Sequence, residues 1–331
     1  MEIVVNPLPP EDIRRRARET IREQIGTLPS PGNPVLKRVD VGGVKRQVYE
    51  VPILVYHPVL ITDPVTAITK KVRFKNLGCV GKIVIDAFTG EVVQRTSVPD
   101  IKRAIKQKLE EIAALVDRIL VRIEAKKFAS LPLSEHVHTS VEDIISALIV
   151  LDSLNIEEQI EILPEDERTK YIEILKVLAE VGLVEIKGST VLPGNILIEL
   201  ESRFDTHEDV LKNALAHFFE EGYEYLDTIR IVLGPYLTLT RKIYEIALGS
   251  GELVPVEFSH IKKLFEEEYI PSRARIKSLK LPRYLLQLER VKLLKYLRKD
   301  GKDCWTGTED TFRKLMEDEE IAKLTKVIST S

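Results

Sequence analysis

The stretch ILKVLAEVGLVEIKGSTVLPGN (residues 174–195) decides the fold of the middle of the chain. Apolar side chains recur at helical spacing through Ile174, Leu178 and Val181, and Gly182 follows as a helix stop. Two short apolar runs then flank Gly188-Ser189, a pair typical of a tight turn. We therefore predict the end of an amphipathic helix followed by a β-hairpin.

Three helices are predicted over residues 140–154, 156–163 and 165–181, directly before this hairpin. Helix, helix, helix and hairpin in that order resemble a winged-helix domain over residues 134–200. The resemblance implies that the third helix is placed where a DNA-reading helix would lie. It raises the question whether residues 165–181 read DNA in this protein.

The length of 331 residues predicts two or three domains. Hydrophobic residues make up 44% of the chain, which is typical of a globular protein. No apolar run approaches the ~20 residues that cross a bilayer, so we expect a cytoplasmic protein with no membrane association. Charged residues are 31%, with only two Met and two Cys, which favours a thermophilic archaeon, its virus or its plasmid as the source.

The first 130 residues are predicted to form an α+β domain with an antiparallel sheet. A helix is expected over residues 11–25, strands over 35–96, and an edge position for Pro52. GKIVIDAFTGEVVQRT predicts a hairpin, and residues 82–95 resemble the strand-turn-strand of PepSY modules. The one-sided strand residues are Tyr49, Val51, Ile53 and Val55.

A long helix is predicted over residues 99–127, with a near-heptad apolar stripe. Either the stripe packs on the preceding strands as part of a core, or it forms a dimer seam. Its residues are Ile101, Ile105, Leu109, Ile112, Val116, Ile119 and Ile123.

Residues 205–331 are expected to form a helical domain with a basic surface. A helix capped by Thr206, helices over 237–248, 259–269 and 283–299, and a last helix after KDGKDCWTGTED are predicted. Thr306 and Glu309 have the spacing of a capping box for that last helix. A second winged-helix-like unit is the weaker alternative for this region, and no repeat of fixed period is evident.

Catalytic and metal-binding motifs are missing from the sequence. It contains no Gly-rich phosphate loop, no G-x-S-x-G and no H-E-x-x-H. His136 and His138 share one side of an extended segment but lack further ligands, so structural roles are favoured over a metal. Cys79 and Cys304 lack ligand spacing and are expected to be free thiols. We therefore predict no enzyme, no metal and no cofactor.

Charge is strongly segregated along the chain. The net charge is +8 over residues 1–130, −10 over 131–200, −7 over 201–269, +9 over 270–302 and −3 over 303–331. The acidic block contains the predicted third helix, where repulsion would oppose DNA, so a packing or protein-contact role is favoured for that helix.

The basic block predicts a nucleic-acid interface, because lysines and arginines interleaved with Tyr284 and Tyr296 can bind phosphates. Docking on an acidic protein surface and plain solvation are the alternatives. Arg14, Arg15, Arg16 and Arg18 could form a second contact or an oligomerisation arm. The candidate nucleic-acid-binding residues are Arg273, Arg275, Lys277, Lys280, Arg283, Arg290, Lys292, Lys295, Arg298 and Lys299.

Taken together, these patterns predict a non-enzymatic DNA-binding or DNA-associated protein that works as a multimer. The main alternative is a structural or assembly protein whose winged-helix unit and charged surfaces contact other proteins. An enzyme with a site that no motif betrays is the third alternative.

Overall fold

A computed structural model of the chain describes residues 6–26, 29–41, 44–62, 69–133, 139–269 and 280–326. Within them the chain forms two compact units. Unit 1 comprises Met1–Leu60, Lys71–Ala114 and Ala322–Ser331, and unit 2 comprises Ile61–Lys70 and Leu115–Ile321, as far as these residues are described. Helices and antiparallel strands make up the fold, so the predicted α+β class is confirmed. The predicted division into three domains stays a prediction.

Unit 1 is built on an antiparallel sheet of order β1-β3-β4-β5, with β2 also paired to β3. Its core joins apolar residues of the first helix, such as Ile13 and Ile21, to sheet residues such as Ile53 and Ile85. The elements are α1 Pro10–Gln24, β1 Pro29–Pro31, β2 Val35–Val41, β3 Val44–Thr62, β4 Thr69–Asp86, β5 Val92–Arg95 and the start of α2 Val98–Ile123.

The alternation predicted for β3 is confirmed, because Tyr49, Val51, Ile53 and Val55 are all buried. The edge position predicted for Pro52 is wrong, since β3 pairs with β1, β2 and β4. β2 pairs with β3 as far as Glu50, and β1 pairs with it from Ile53 onward. Pro52 lies opposite Gly32, whose N–H group donates to the Pro52 carbonyl (2.8 Å), so the proline accepts one bond of this pair but cannot donate the other.

The predicted hairpin between β4 and β5 is confirmed. One carboxylate oxygen of Asp86 accepts hydrogen bonds from the backbone N–H groups of Phe88 (2.9 Å) and Thr89 (3.0 Å). These bonds favour the ionised form and lower the pKa of Asp86. Gly90 closes the turn with φ of 71°, a conformation that glycine adopts without strain.

Residues near both ends of the apolar stripe of α2 are buried. Ile101 belongs to the core of unit 1, and Val116 and Ile119 are buried in unit 2. Packing on the preceding strands therefore accounts for Ile101, whereas Val116 and Ile119 are buried in unit 2. The interpretation as a dimer seam stays a prediction.

Within its described residues, which leave a gap between Tyr269 and Lys280, unit 2 contains one order of elements twice: helix, short strand, helix, helix, strand, strand and a nine-residue helix. We call the two occurrences the first repeat and the second repeat. The first repeat is α4 Val141–Leu151, β6 Leu154–Asn155, α5 Ile156–Glu161, α6 Glu165–Glu180, β7 Val184–Lys187, β8 Thr190–Pro193 and α7 Asn195–Arg203. The second repeat is α9 Leu226–Ser250, β9 Val256–Glu257, α10 Phe258–Tyr269, α11 Leu281–Arg290, β10 Leu294–Lys299, β11 Lys302–Gly307 and α12 Glu309–Glu317.

The two repeats also share one strand topology. In each three-stranded sheet the last strand lies in the centre, with orders β6-β8-β7 and β9-β11-β10, and every pairing is antiparallel. The remaining helices of unit 2 include α3 Ala125–Ala129, α8 His207–Glu221 and a 3-10 turn at Gly222–Tyr225. After the second repeat, α13 Glu319–Lys326 follows. The repetition shows no fixed period in the sequence, because α9 and α10 are much longer than α4 and α5.

The three helices and the hairpin turn predicted for the first repeat are confirmed, but β6 and α7 were not predicted, and the winged-helix resemblance stays a prediction. Ser140 caps α4 through a capping box with Asp143, and Gly188 supplies the positive φ of 63° at the turn between β7 and β8. Thr206 likewise caps α8, by accepting from the N–H group of Asp209. None of the helices in the described ranges is both long and apolar enough to span a bilayer.

The helix predicted over residues 283–299 is wrong. The helix α11 ends at Arg290, and residues from Leu294 onward form strand β10. Leucine, lysine and arginine favour helices locally, but pairing with β11 overrides this preference. The capping box predicted for Thr306 and Glu309 is also wrong, because Thr306 lies inside β11 and Thr308 occupies the N-cap.

Candidate nucleic-acid interface

The helix α11 presents one apolar face to its repeat and one open face to solvent. Leu281, Tyr284, Leu285 and Leu288 are buried at helical spacing. The opposite face carries Arg283, Leu286 and Arg290, which are exposed. Leu286 is 61% exposed, so nothing within the described part of the chain covers the centre of this face.

The hairpin that follows α11 extends the basic surface. β10 and β11 are joined by Asp300 and Gly301, whose φ values of 51° and 77° match a two-residue hairpin turn. Lys295 and Arg298 are exposed along β10, and Lys299 is half-buried. The basic residues of the candidate site therefore follow one another through a helix, a loop and a strand.

The structure describes seven of the ten predicted site residues. Lys280 is the N-cap of α11, Lys292 lies in the loop before β10, and the others occupy α11 and β10. Arg273, Arg275 and Lys277 lie outside the described residues. The residues without a carboxylate partner within the described ranges are Arg283, Arg290, Lys292, Lys295, Arg298 and Lys299.

The two tyrosines of the basic block differ in accessibility. Tyr284 is buried, with its ring centroid 5.1 Å from that of Tyr236, so it contributes to the core. Tyr296 is 37% exposed and stacks edge-on against Trp305 at 5.2 Å. Its hydroxyl donates to a carboxylate oxygen of Asp303 (2.7 Å), and this bond raises the pKa of Tyr296. Only Tyr296 of the two is therefore available to a ligand.

The repeats can be aligned residue by residue at the ends of α6 and α11. The N–H group of Leu183 donates to the carbonyl of Leu178 (2.9 Å), and that of Leu293 donates to the carbonyl of Leu288 (2.9 Å). These are the long bonds of a Schellman motif, and they place Gly182 and Lys292 at one position. Residues of α11 and β10 can then be aligned with those of α6 and β7 by counting from Gly182 and Lys292.

Acidic residues of the first repeat stand where the second repeat has basic ones. Arg283, Arg290 and Lys295 are aligned with Glu173, Glu180 and Glu185. The four buried positions of α11 are also buried in α6, so the charge difference lies on the outer faces of the two helices. The opposite charges of the two blocks thus arise at equivalent sites of one repeated fold.

Packing also distinguishes the helix α6 from α11. Both helices contact α9, and α6 also contacts the 3-10 turn that precedes α9. A Cβ atom added to Gly222 in that turn would lie 3.4 Å from a methyl group of Val177 and 3.3 Å from one of Ile229. The hydroxyl of Tyr225 donates to Glu180 (3.5 Å), which adds a polar contact at the end of α6. Part of the outer face of α6 is therefore covered within its own unit.

The other candidate groups have ordinary structural surroundings. Cys79 is exposed, Cys304 is buried, and burial raises the pKa of the Cys304 thiol. No group of three metal-ligating side chains occurs in the described ranges, and His136 and His138 lie outside them.

The N-terminal arginines divide into two kinds. Arg15 pairs with Asp12 (2.8 Å), and Arg16 donates to the carbonyls of Thr89 (3.1 Å) and Gly90 (3.2 Å). Arg14 and Arg18 are exposed. All four side chains are exposed, but Arg16 is held by the β4–β5 turn, whereas no bond within the described residues holds Arg14 or Arg18.

Comparison with known proteins gives no match: no family model, no curated protein and no solved structure aligns with this chain. The resemblances to winged-helix and PepSY modules stay predictions, and the function has to be argued from the geometry.

Proposed function

We propose that the second repeat is a winged-helix module that binds duplex DNA, with α11 as the helix that enters the major groove and the β10–β11 hairpin as the wing. The observation that carries this proposal is the series of exposed or half-buried basic residues along α11, the loop after it and β10. Six lysines and arginines there have no described carboxylate partner, and each can bind a phosphate group.

Leu286 adds to this argument because it occupies the centre of the open face between Arg283 and Arg290. An exposed apolar side chain on a groove-binding helix can contact a thymine methyl group, while flanking arginines bind guanine or phosphate. Leu286 is therefore expected to be covered when DNA is bound.

The first repeat has the same order of elements as the second, so α6 can be compared directly with α11. Its helix α6 has Glu173 and Glu180 at the positions of Arg283 and Arg290, and it packs against α9. We infer that the first repeat supports the second and does not bind DNA. A protein with this role acts where prokaryotic DNA lies, in the cytoplasm, and it needs no catalytic group.

The test is a variant that carries Arg283→Glu, Arg290→Glu and Lys295→Glu together. Each substitution introduces the residue that the first repeat already has at the same position, so the fold is expected to persist. Duplex affinity should fall for every sequence, and the slope of log affinity against log salt should flatten by about 0.9 per lost contact.

The matched control carries Arg168→Glu, Lys170→Glu and Lys176→Glu on α6, which changes the charge by the same amount. Its duplex affinity should stay close to that of the wild type. If the control loses binding and the first variant retains it, α6 is the DNA-reading helix and the proposal is wrong. Absence of duplex binding by the wild type at low salt would favour the assembly role instead.

A further inference from the structure

Lys292 has a backbone conformation that disfavours lysine. Its φ is 59°, in the left-handed region, and the equivalent Gly182 has φ of 74°. The other non-glycine residues with positive φ in the described ranges are Asp152 and Asp300, and aspartate tolerates this region better than lysine does. Glycine at position 292 would thus suit the backbone better, which points to a use for the lysine side chain.

Lys292 lines an open cleft of about 420 Å³. The cleft lies where the end of α11, the start of β10, the start of α12 and helix α3 meet. Its volume falls within the range of small-ligand sites, roughly 300–1,000 Å³. The lining residues are Lys127, Glu289, Lys292, Leu294, Lys295, Thr308 and Asp310.

Cations predominate among the charges of this cleft. Asp310 already has two partners, Lys314 (2.9 Å) and Arg313 (3.0 Å), which lower its pKa. Lys292 and Lys295 have no carboxylate partner among the described residues, and Glu289 is the remaining acid of the lining. The unpaired charges of the lining are therefore two ammonium groups and the carboxylate of Glu289, which leave a net positive charge for an anionic ligand.

Lys127 fixes the backbone at the strained position. Its ammonium group donates to the carbonyl of Lys292 (3.3 Å) and pairs with the buried Glu124 (2.8 Å). The charge of Lys127 is thus partly neutralised, but its contact holds the loop that carries Lys292. Of the lysines in the lining, Lys292 and Lys295 are consequently the ones left for a ligand.

The N-terminus of α12 faces the same cleft through Thr308 and Asp310. The hydroxyl of Thr308 interacts with Tyr244 and Thr311, and no side chain caps the first-turn N–H groups of this helix. Uncapped N–H groups and the positive end of a helix favour a phosphate group. The N-terminus of α12 therefore lies at the same cleft as Lys292 and Lys295.

We propose that this cleft binds a phosphate group, held by Lys292 and Lys295 at the N-terminus of α12. The phosphate belongs either to the DNA backbone, which would deepen the proposed function, or to a free phosphorylated compound. The strained lysine is retained because its ammonium group reaches the ligand. The proposal does not require DNA binding.

The test uses Lys292→Gly, with inorganic pyrophosphate as the probe in calorimetric titrations of the full chain. Removal of one charged hydrogen bond should weaken pyrophosphate binding by about tenfold or more. The same variant should melt about 2–4 °C higher, because the backbone strain is relieved. The matched control Gly182→Lys should melt lower and gain no pyrophosphate binding.

Duplex DNA titrations with the same variants distinguish the two sources of phosphate. Weaker DNA binding by Lys292→Gly, with pyrophosphate competing, assigns the cleft to the DNA backbone. Unchanged DNA binding, or none by the wild type, together with lost pyrophosphate binding assigns it to a free compound. A Lys292→Gly protein that keeps both affinities, a wild type that binds neither probe, or a lower melting temperature of this variant would overturn the proposal.

Discussion

The hydroxyl of Tyr244 donates to the carbonyl of Leu293 at 2.9 Å and so connects α9 to the loop between α11 and β10. The same oxygen accepts from the N–H group of Thr308 at 2.8 Å, and Thr308 lies between β11 and α12. One buried phenol thus joins three parts of the second repeat. The basic surface and the cleft both depend on this loop for their position.

Replacing Tyr244 with phenylalanine should destabilise the protein by about 1–3 kcal/mol, because the carbonyl of Leu293 and the N–H group of Thr308 lose their partner in the interior. The matched substitution is Tyr236→Phe on the same helix. The hydroxyl of Tyr236 is buried and has no hydrogen-bond partner among the described residues. Its removal should leave stability unchanged or raise it, as measured by denaturant unfolding. Equal losses for the two variants would contradict the assigned role of Tyr244.

Substitution of two leucines distinguishes the effect of core packing on stability from the effect of the proposed interface on DNA binding. Leu178 on α6 is fully buried, whereas Leu286 on α11 is 61% exposed. Leu178→Ala should cost about 2–5 kcal/mol of unfolding free energy. Leu286→Ala should change it by less than about 0.5 kcal/mol, yet weaken binding to duplex DNA. A Leu286→Ala protein with wild-type DNA affinity would show that the open face of α11 is not a contact surface.

A buried ion cluster connects the end of α2 with α9. Asp117 is 1% exposed and accepts from Arg241 (2.6 Å) and Arg230 (3.4 Å), with Glu245 near Arg241 (3.8 Å). Burial is the largest effect on Asp117 and raises its pKa to about 6, although the two arginines oppose this shift. The folded chain therefore binds this proton more tightly than the unfolded chain.

The contribution of Asp117 to stability should fall as the pH rises from about 4 to about 6. It is fully present below the ordinary pKa of 3.8 and is lost through the raised pKa of about 6. The measurement is the difference in unfolding free energy between the wild type and Asp117→Asn from pH 4 to pH 7. This difference should shift in favour of the variant with rising pH. A constant difference, or one that shifts toward the wild type, would show that the arginines dominate.

Local sequence patterns were sufficient for the elements that carry their own signals. The helix predicted over residues 11–25, the cap Thr206 and the turns at Gly90 and Gly188 lie where the sequence predicts them. The sequence-based prediction extended α11 too far, because the helix end has no glycine to mark it. Lys292, a good helix former, occupies the position where Gly182 signals the end of α6. The Asp300-Gly301 pair was the usable hairpin signal.

The site itself could be predicted only in part. Segment charge selected the basic residues of α11 and β10, since charge is visible without a structure. Whether a helix face is open or covered depends on distant residues such as Gly222 and Ile229, which no local pattern places beside α6. For the same reason the cleft, which brings Lys127 to Lys292, was not predicted.

The decisive measurement for the proposed DNA binding is the salt dependence of wild-type affinity for duplex DNA. If three to six of the unpaired cations contact phosphates, log affinity should fall against log salt with a slope between about −3 and −5. The Arg283→Glu, Arg290→Glu, Lys295→Glu variant should show a flatter slope and weaker binding at every salt concentration. An affinity that does not change with salt, or no binding at low salt, would contradict the account.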